Sequence, residues 1–397
     1  MPEAAPLAPQ WNIVVVEDDA VIRGQIADFL TGEVIAGREL AVSSYDDFQA
    51  ARRVVEERRA DVVILDLFRG LPEAGQIEGL EVLESIKASG FVPVVIYTAK
   101  PEAVGDAAGA FVRVVGKEAG GLNQVKAQIE DLFRLRVPQM HRAIREHLDR
   151  SFAAYMWEFV GPKWSELEPL AGRPEFMRLL LQRLATSLTQ SDLNKLVVDI
   201  FGEGTSADLV GPDKVHPAEF YVKPSVGPDL LLGDIRARVE GGREEYLVVL
   251  WPSCDLVSTR PAEGGGYQPA KTTHALCARA MPMTETAEHQ KWSESRSGGA
   301  EGRVRDLIGN KRDRFHFLPG VWDIPDLLVD FQALEHLELA AVHQLRCLAT
   351  LASPYAESLG NRFTRYLGRL GTPDIEMDLV ERRLFPPPIG GASLPKA

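Results

Sequence analysis

The N-terminal part of the sequence predicts an α/β fold with a doubly wound parallel sheet. The apolar runs at residues 13–16 and 62–65 are typical of strands that are buried on both faces of a sheet. Each run ends in acids: Glu17 and Asp18 follow the first, and Asp66 follows the second. Because ligands of doubly wound folds bind outside the carboxyl ends of the strands, we expect these three acids to share one site.

Strand and helix patterns alternate along the first 136 residues. The predicted strands cover residues 12–16, 40–43, 62–66, 92–97 and 111–115. The predicted helices cover residues 19–30, 45–58, 79–88 and 122–135, and the 100–110 segment has room for about two helical turns. Five strands with intervening helices predict a layered α/β domain with a parallel sheet.

A further helical pattern follows this domain after Pro138. Residues 140–160 place Ile144, Leu148, Phe152 and Met156 at helical spacing. The pattern predicts either a linker helix or the seam of a homodimer, and both interpretations stay open.

The remaining sequence predicts an α+β domain with a small sheet or barrel flanked by helices. Helices are expected at residues 176–188 and 192–200, and again at residues 334–351 and 356–370. Short apolar stretches among Gly and Pro lie at residues 219–222, 230–232, 246–250 and 327–331. We therefore predict a disordered tail at 1–10, an α/β domain at 11–136, a linker or dimer helix at 137–165, an α+β domain at 166–385 and a flexible tail at 386–397.

Composition limits the classes of protein to consider. The chain has 397 residues, 45% of them hydrophobic, but no apolar run approaches a membrane span and residues 1–10 do not resemble a signal peptide. Three cysteines cannot form a disulfide framework. A formal charge of −13 and the lack of a helix-turn-helix pattern argue against a DNA-reading protein. A cytoplasmic protein without membrane contact is expected.

Four motifs carry a resemblance to a known family. They are VVVEDD at 14–19, VILDL at 63–67, VVIYTA at 94–99 and VVGK at 114–117, each at the end of a predicted strand. Together they resemble the receiver domain of two-component response regulators over roughly residues 11–136. The resemblance implies a flavodoxin-like, five-stranded sheet with strand order 2-1-3-4-5.

The resemblance also implies a chemistry. Asp66 would accept a phosphoryl group from a histidine kinase or a phosphotransfer protein. Crowded acids repel one another and phosphate, so Mg²⁺ would be bound by Glu17, Asp18, Asp66 and the backbone carbonyl of Phe68. Strand-end acids also commonly cap the following helix, which is the alternative role for Asp18 and Asp19.

Lys117 and Thr98 would contact the phosphoryl oxygens, Lys117 as a point charge and Thr98 as a hydroxyl donor. The sequence departs from the family pattern in three places. The 68–79 loop is long, Glu118 stands where the family commonly has a cis proline, and Val114 stands where an aromatic switch residue is usual.

The second half has weaker candidates for a site. Ser253, Cys254 and Asp255 follow an apolar stretch, and a nucleophilic Cys254 would need a base such as His274. The alternatives are a buried cysteine beside a capping acid, or a zinc site formed by Cys254, His274 and Cys277. Three more residues fall at helical spacing on one predicted face and are expected to be packing residues: His336, His343 and Cys347.

Basic residues cluster in two stretches of the second half. They are Arg303, Arg305, Lys311, Arg312 and Arg314, and then Arg362, Arg365 and Arg369. A solvated surface is one interpretation and a surface that contacts phosphate or RNA is the other. Residues 232–235 and 246–255 also resemble the strand pattern of small-barrel endoribonuclease toxins, which implies a nuclease under receiver control.

Three functions follow as hypotheses. The favoured one is a response regulator of a phosphorelay with a non-DNA-binding output domain. The alternatives are a receiver-gated effector enzyme such as a nuclease, and an adaptor that works without phosphorylation.

Overall fold

The structure is a computed structural model that describes residues 10–48, 60–70, 78–186, 190–201, 214–225, 227–258, 260–261, 266–369 and 375–385. The chain divides into two compact units, Met1–Gly211 and Pro212–Ala397. Most of the helix predicted at residues 45–58 lies outside the described residues, and so do nearly all of the tail predicted at 1–10 and the whole of the tail predicted at 386–397.

The first unit is built on a twisted α/β sheet. Its strands are β1 Trp11–Val16, β2 Val34–Ile35, β3 Arg38–Tyr45, β4 Val62–Leu65, β5 Val94–Thr98 and β6 Val112–Gly116. They lie in the order β2-β3-β1-β4-β5-β6, and all neighbours are parallel except β2 and β3. The parallel strands therefore have the predicted order 2-1-3-4-5.

Beside the five predicted parallel strands, the sheet has a sixth, antiparallel strand that the sequence analysis did not predict. It forms a hairpin in which Ile35 pairs with Arg38. The two residues between them, Ala36 and Gly37, both have positive φ, as two-residue hairpin turns require. A strand of two residues is too short to leave a periodic signal in the sequence.

Helices cover both faces of this sheet. The described helices of the unit are α1 Ala20–Leu30, α2 Glu78–Ser89, α3 Gly121–Arg134, α4 Val137–Tyr155, α5 Trp164–Leu167, α6 Pro174–Ala185 and α7 Gln190–Phe201, and the first three of them pack on the sheet. Shorter helical turns are a 3-10 segment at Pro101–Ala107, a π turn at Met156–Val160 and a 3-10 turn at Glu168–Leu170. Arg136, with a φ of 62°, separates α3 from α4, and Pro138 lies in the first turn of α4.

Side chains alternate between the two faces of the sheet, so the core of the first unit has two parts. Ile13 and Val15 point to one face, where they pack with residues of α1 and α3, whereas Val14 and Val16 point to the other, with residues of α2. Burial on both faces explains why these strands are apolar throughout.

The second unit contains a seven-stranded antiparallel sheet. Its strands are β7 Tyr221–Val222, β8 Asp234–Glu240, β9 Arg243–Val249, β12 His274–Pro282, β13 Phe315–Leu318, β14 Leu327–Glu338 and β15 Arg346–Leu351, in the order β13-β14-β12-β9-β8-β15-β7. A separate hairpin pairs β10 Arg260–Pro261 with β11 Tyr267–Gln268.

The two edges of this sheet come together at one end. The Tyr221 hydroxyl, on edge strand β7, donates to the carbonyl of Pro319, which directly follows the other edge strand, at 2.6 Å. Lys223 and Asp323 form an ion pair between the same two regions. The sheet therefore curves toward a barrel, in line with the sheet or barrel that the sequence predicts.

Helices and helical turns complete the described part of the second unit. They are α8 Ser253–Leu256, α9 Ala287–Ser295, α10 Gly298–Ile308, α11 Leu339–Gln344, α12 Tyr355–Leu367 and α13 Met377–Leu384, with 3-10 turns at Pro217–Phe220 and Met283–Glu285. Helix α12 buries Leu359, Phe363 and Tyr366 in the main core of the unit. Among the described residues, no helix is both long and apolar enough to cross a lipid bilayer.

The helix predicted at residues 334–351 was wrong. Two strands, Leu327–Glu338 and Arg346–Leu351, flank the short helix Leu339–Gln344. Consequently His336, His343 and Cys347 belong to three different elements and do not share a helix face. Apolar residues at mixed spacing fit either structure, and the pairing of β14 with two neighbouring strands decides for a strand.

Candidate functional site

Three carboxylates converge at the carboxyl end of the parallel sheet. Strands β1 and β4 are neighbours, and Val16 pairs with Leu65, so Glu17, Asp18 and Asp66 leave the sheet at the same edge. One carboxylate oxygen from each lies within 4.8 Å of the others. Glu17 and Asp66 are buried and Asp18 is half-buried.

Backbone amides and one arginine hold these acids in place. The Leu67 amide donates to Asp66 Oδ1 at 2.7 Å, and the Gly70 amide donates to Asp18 Oδ2 at 2.7 Å. Arg23, from α1, donates to the carbonyls of Glu17 and Asp18 at 2.7 and 3.0 Å. The Asp18 side chain therefore belongs to the acidic cluster.

Helix capping is performed by Asp19. Its carboxylate accepts hydrogen bonds from the amides of Val21 and Ile22 at 2.8 and 3.1 Å, at the first turn of α1. Asp19 therefore caps the helix, whereas its neighbour Asp18 belongs to the acidic cluster.

Lys117 reaches the cluster from the end of β6. Its Nζ atom lies 2.7 Å from Asp66 Oδ2 and 2.7 Å from Glu17 Oε2. The Lys117 amide also donates to the Thr98 carbonyl at 2.9 Å, which fixes the strand end. Within the described part of the chain cis peptide bonds precede only Pro224 and Pro354, so the bond before Glu118 is trans, and Lys117 reaches Asp66 from that geometry.

Burial dominates the electrostatics of the site. It raises the pKa of Glu17 to about 7, with the Asp66 charge adding to the rise and the Lys117 hydrogen bond opposing it. Burial would lower the pKa of Lys117, but hydrogen bonds from Lys117 to Asp66 and Glu17 outweigh it and the pKa is raised. Lys117 is therefore a fixed positive charge against two buried acids.

The donor set fits a hard divalent cation. Three carboxylate oxygens are the type of ligand that Mg²⁺ takes, usually together with waters. In the described ranges, this is the one group of three acids, histidines or cysteines whose ligand atoms converge in this way.

Thr98 and Phe68 lie beside the cluster, but their predicted roles stay predictions. Thr98 is fully buried at the end of β5, and its Oγ1 accepts from the Lys100 amide at 3.4 Å. The pairing of Leu65 with Ile96 places Thr98 at the same sheet edge as Asp66. The Phe68 side chain is buried in the core on one face of the sheet.

Gly79 supports the site through its lack of a side chain. A Cβ atom at this position would lie 2.1 Å from the Asp66 carbonyl oxygen. The Gly79 amide donates to the Leu67 carbonyl at 3.1 Å, so the start of α2 packs directly on the segment that carries Asp66. The sequence showed the glycine but not this contact.

A buried ion pair at the opposite end of β4 was also missed. Asp61 is fully buried, and both Nε and Nη2 of Arg142, on α4, donate to its carboxylate. Arg142 also donates to the Gln10 carbonyl at 2.9 Å, and its guanidinium and that of Arg38 stack on the Trp11 ring, at 4.4 and 4.5 Å from the ring centre. Burial is the largest effect on the pKa of Asp61, which is raised. An acid just before an apolar strand was its only sequence signal.

The cysteine candidates of the second unit do not come together. Cys254 Sγ is exposed and lies 3.8 Å from Asp255 Oδ1, whereas His274 Nδ1 bonds to the Thr273 hydroxyl at 2.9 Å. Burial raises the pKa of Cys277 to about 12, so this thiol is protonated at neutral pH. No hydrogen bond joins Cys254 to an imidazole among the described residues.

Acidic partners neutralise most of the basic stretches. Arg362 donates to the carbonyls of Arg312 and Phe315, and Arg369 to that of Tyr366. The ion pairs are Arg305–Glu301, Lys311–Asp306, Arg312–Glu288, Arg314–Asp330 and Arg365–Asp313. A basic surface for phosphate or RNA is therefore not favoured.

Comparison with known proteins agrees with the N-terminal geometry. The family model of the response regulator receiver domain matches residues 13–112. No curated protein matches the chain.

Similar solved structures align with about a third of the chain. The N-terminal domain of an uncharacterized protein from Wolinella succinogenes is 24% identical, with a TM-score of 0.26 over 32% of this chain and 97% of that chain. The receiver domain of the PhyR response regulator from Erythrobacter litoralis is 23% identical, with a TM-score of 0.25 over 31% of this chain and 88% of that chain. A two-component transcriptional regulator from Clostridium phytofermentans is 16% identical, with a TM-score of 0.25 over 32% of this chain and 96% of that chain.

Proposed function

We propose that this protein, whose residues 13–112 form a response regulator receiver domain, accepts a phosphoryl group on Asp66 and transmits the signal to its C-terminal unit. The observation that carries the proposal is the contact of Lys117 Nζ with Asp66 Oδ2 at 2.7 Å, beside the Glu17 and Asp18 carboxylates. A nucleophile, a fixed cation and a group of cation-binding acids meet at one sheet edge.

The reaction is an exchange of one phosphorus bond for another. A carboxylate oxygen of Asp66 attacks the phosphorus of a phosphohistidine, the phosphorus–nitrogen bond breaks, and an acyl phosphate forms while the imidazole leaves. Lys117 balances negative charge on the phosphoryl oxygens, and the Thr98 hydroxyl donates to one of them. The Leu67 amide, bonded to Asp66 Oδ1, keeps the carboxylate oriented for attack by its other oxygen.

Glu17, Asp18, Asp66 and the Phe68 carbonyl would hold Mg²⁺. When bound, the ion would neutralise the acids and the incoming phosphoryl group. Because burial raises the pKa of Glu17 to about 7, this acid would have to be deprotonated to hold the cation, which would favour binding above neutral pH.

The expected partner is a histidine kinase or a phosphotransfer protein, and a cytoplasmic location belongs to the same proposal. The output belongs to the C-terminal unit, without DNA binding, because its basic side chains are paired with acids. An adaptor that works without phosphorylation is the competing function, whereas a thiol enzyme has no support from a Cys254–imidazole hydrogen bond among the described residues.

Beryllofluoride, a mimic of the acyl phosphate, tests the proposal on the full chain with Mg²⁺. We expect saturable binding, seen as shifts of the Asp66 and Lys117 amide resonances, which is lost in Asp66→Ala. The matched control is Asp131→Ala, since Asp131 is a half-exposed acid on α3, and it should bind as the wild type does. Shifts that persist in Asp66→Ala, or no shifts in the wild type, would leave the adaptor function.

A further inference from the structure

We propose that helix α4 is an interface on which a second copy of this chain docks, with the two α4 helices antiparallel about a two-fold axis. Ile144, Leu148 and Phe152 lie one helical turn apart on one face of α4 and are 50%, 38% and 42% exposed. An exposed apolar row of this kind marks a protein interface more often than a solvated surface.

The apolar row continues into a groove. The rings of Phe91 and Phe111, from the segments before β5 and β6, meet edge to face at 5.2 Å and are both partly exposed. Together with Met140 and His141 they border a cleft of about 500 Å³ along α4. The groove has room for a large apolar side chain from a partner.

The other side of α4 is fixed to the receiver domain. Arg142 is buried against Asp61, and the Gln139 side chain donates to the Phe133 carbonyl at 3.0 Å. The exposed row is therefore held at a set position, which lowers the entropy that docking would remove.

Charge complementarity favours a second copy as the occupant. Arg145 and Asp149 also border the groove, one helical turn apart on one side of the apolar row. A two-fold axis between Ile144 and Leu148 places Ile144 of one copy opposite Leu148 of the other. The same axis brings Arg145 of one copy close to Asp149 of the other, on both sides.

The antiparallel arrangement also fills the groove. Under the same axis Phe152 of one copy faces Met140 of the other, next to the Phe91 and Phe111 rings. A parallel arrangement would instead place Arg145 of one copy and Asp149 of the other on opposite sides of the seam, where they could not pair. The interface lies at the amino ends of β5 and β6, so it leaves the carboxyl-end acid site open.

Sedimentation equilibrium of the full chain, without phosphate or its mimics, tests the interface separately from phosphorylation. We expect a reversible dimer whose Kd rises at least about 100-fold in Leu148→Glu, because the substitution buries two carboxylates in the seam. The matched control is Val239→Glu, at a position that is 76% exposed on β8 in the second unit, and its Kd should equal that of the wild type.

Charge reversal tests the orientation. Arg145→Asp and Asp149→Arg should each weaken the homodimer about tenfold, and an equimolar mixture of the two variants should restore the wild-type Kd. A mixture that binds no more tightly than either variant alone would show that Arg145 and Asp149 do not meet across the seam, which contradicts the antiparallel arrangement.

A wild-type chain that sediments as a monomer at about 100 µM would overturn the proposal, and the apolar row would then be covered within one chain or by another protein. A dimer that Leu148→Glu leaves unchanged would overturn it equally. If circular dichroism shows that Leu148→Glu loses helix, the milder Leu148→Gln replaces it, with the same direction expected.

Discussion

Glu17 and His316 show how burial sets the charge of single residues in the two units. Burial raises the pKa of Glu17 to about 7 and lowers that of His316 to about 4, because it favours the neutral form in both cases. Arg362 adds to the lowering at His316. His316 lies in β13 beside Phe331, and among the described residues its Nδ1 atom has no hydrogen-bond partner.

His316 should make the second unit sensitive to acid. The unfolded chain takes up a proton near pH 6.5 and the folded unit only near pH 4, so the free energy of unfolding is highest above pH 6.5 and falls as the pH drops. The loss between pH 6.5 and 4 is expected to be about 3 kcal/mol. Urea unfolding, followed on amide resonances of the second unit, measures it.

Substitution of this histidine provides the control. His316→Gln cannot take up a proton and should flatten the pH profile, whereas His343→Gln, at an exposed position, should leave the wild-type slope. An unchanged slope in His316→Gln would show that other groups cause the acid sensitivity.

The sequence predicts single residues well where a motif fixes both their type and their place at a strand end. Glu17, Asp18, Asp66 and Lys117 were predicted in this way, and the structure brings them together. The Asp61–Arg142 pair was not predictable, because its members are far apart in sequence and neither lies in a motif.

At the scale of elements, β4 has the acid site at its carboxyl end and a buried ion pair at its amino end. Asp66 follows its carboxyl end, and Asp61 at its amino end binds α4 through Arg142. The strand thus joins the acid site to the helix that leaves the receiver domain.

Loss of Arg142 should weaken this connection strongly. Arg142→Ala leaves the fully buried Asp61 carboxylate without its cation, and we expect a loss of about 3–5 kcal/mol in the stability of the first unit. Hydrogen exchange of the β4 amides measures the change.

An exposed pair gives the comparison. Arg134→Ala removes a solvated ion pair with Asp131 on α3 and should change stability by less than about 1 kcal/mol. The double variant Asp61→Asn with Arg142→Met should recover part of the loss. Equal effects of Arg142→Ala and Arg134→Ala would contradict a buried role for the first pair.

Replacing two glycines of the first unit by alanine should change the stability of that unit in opposite directions. Gly79→Ala places a methyl group 2.1 Å from the Asp66 carbonyl oxygen and should destabilise the unit and shift the Asp66 resonances. Gly24, inside α1, has no described atom within 4 Å of an added Cβ, so Gly24→Ala should stabilise by about 0.5–1 kcal/mol. Urea unfolding compares them, and a neutral Gly79→Ala would contradict the close packing of α2 on the site.

Element prediction failed where neighbours decide the structure. The segment 334–351 has apolar residues that suit a helix, but β14 lies between β12 and β13 and is held there by backbone pairing. Strand β8 was missed because charged residues alternate along it: Arg236 pairs with Asp234 and Arg238 with Glu240 within the strand, and Arg238 also pairs with Glu245 on the adjacent β9.

At the scale of the whole molecule, the chain joins a receiver domain to a unit built on a curved antiparallel sheet. Motifs made the fold of the receiver domain predictable, since four motifs mark successive strand ends. The second unit lacks such motifs. Its sheet is built from strands that are distant in sequence, such as β15 and β8, and local sequence patterns do not reveal these pairings.

The central claim is that Asp66 becomes phosphorylated with the help of Lys117. The most direct measurement is phosphoryl transfer to the full chain from a small acyl phosphate donor with Mg²⁺, with the label located by peptide mapping. We expect one acid-stable, base-labile label on the peptide with Asp66, none in Asp66→Asn, and a rate reduced at least about 100-fold in Lys117→Met. The matched control, Lys126→Met, removes a surface lysine paired with Glu33 and should react at the wild-type rate. No label in the wild type, or an equal label in Asp66→Asn, would contradict the account.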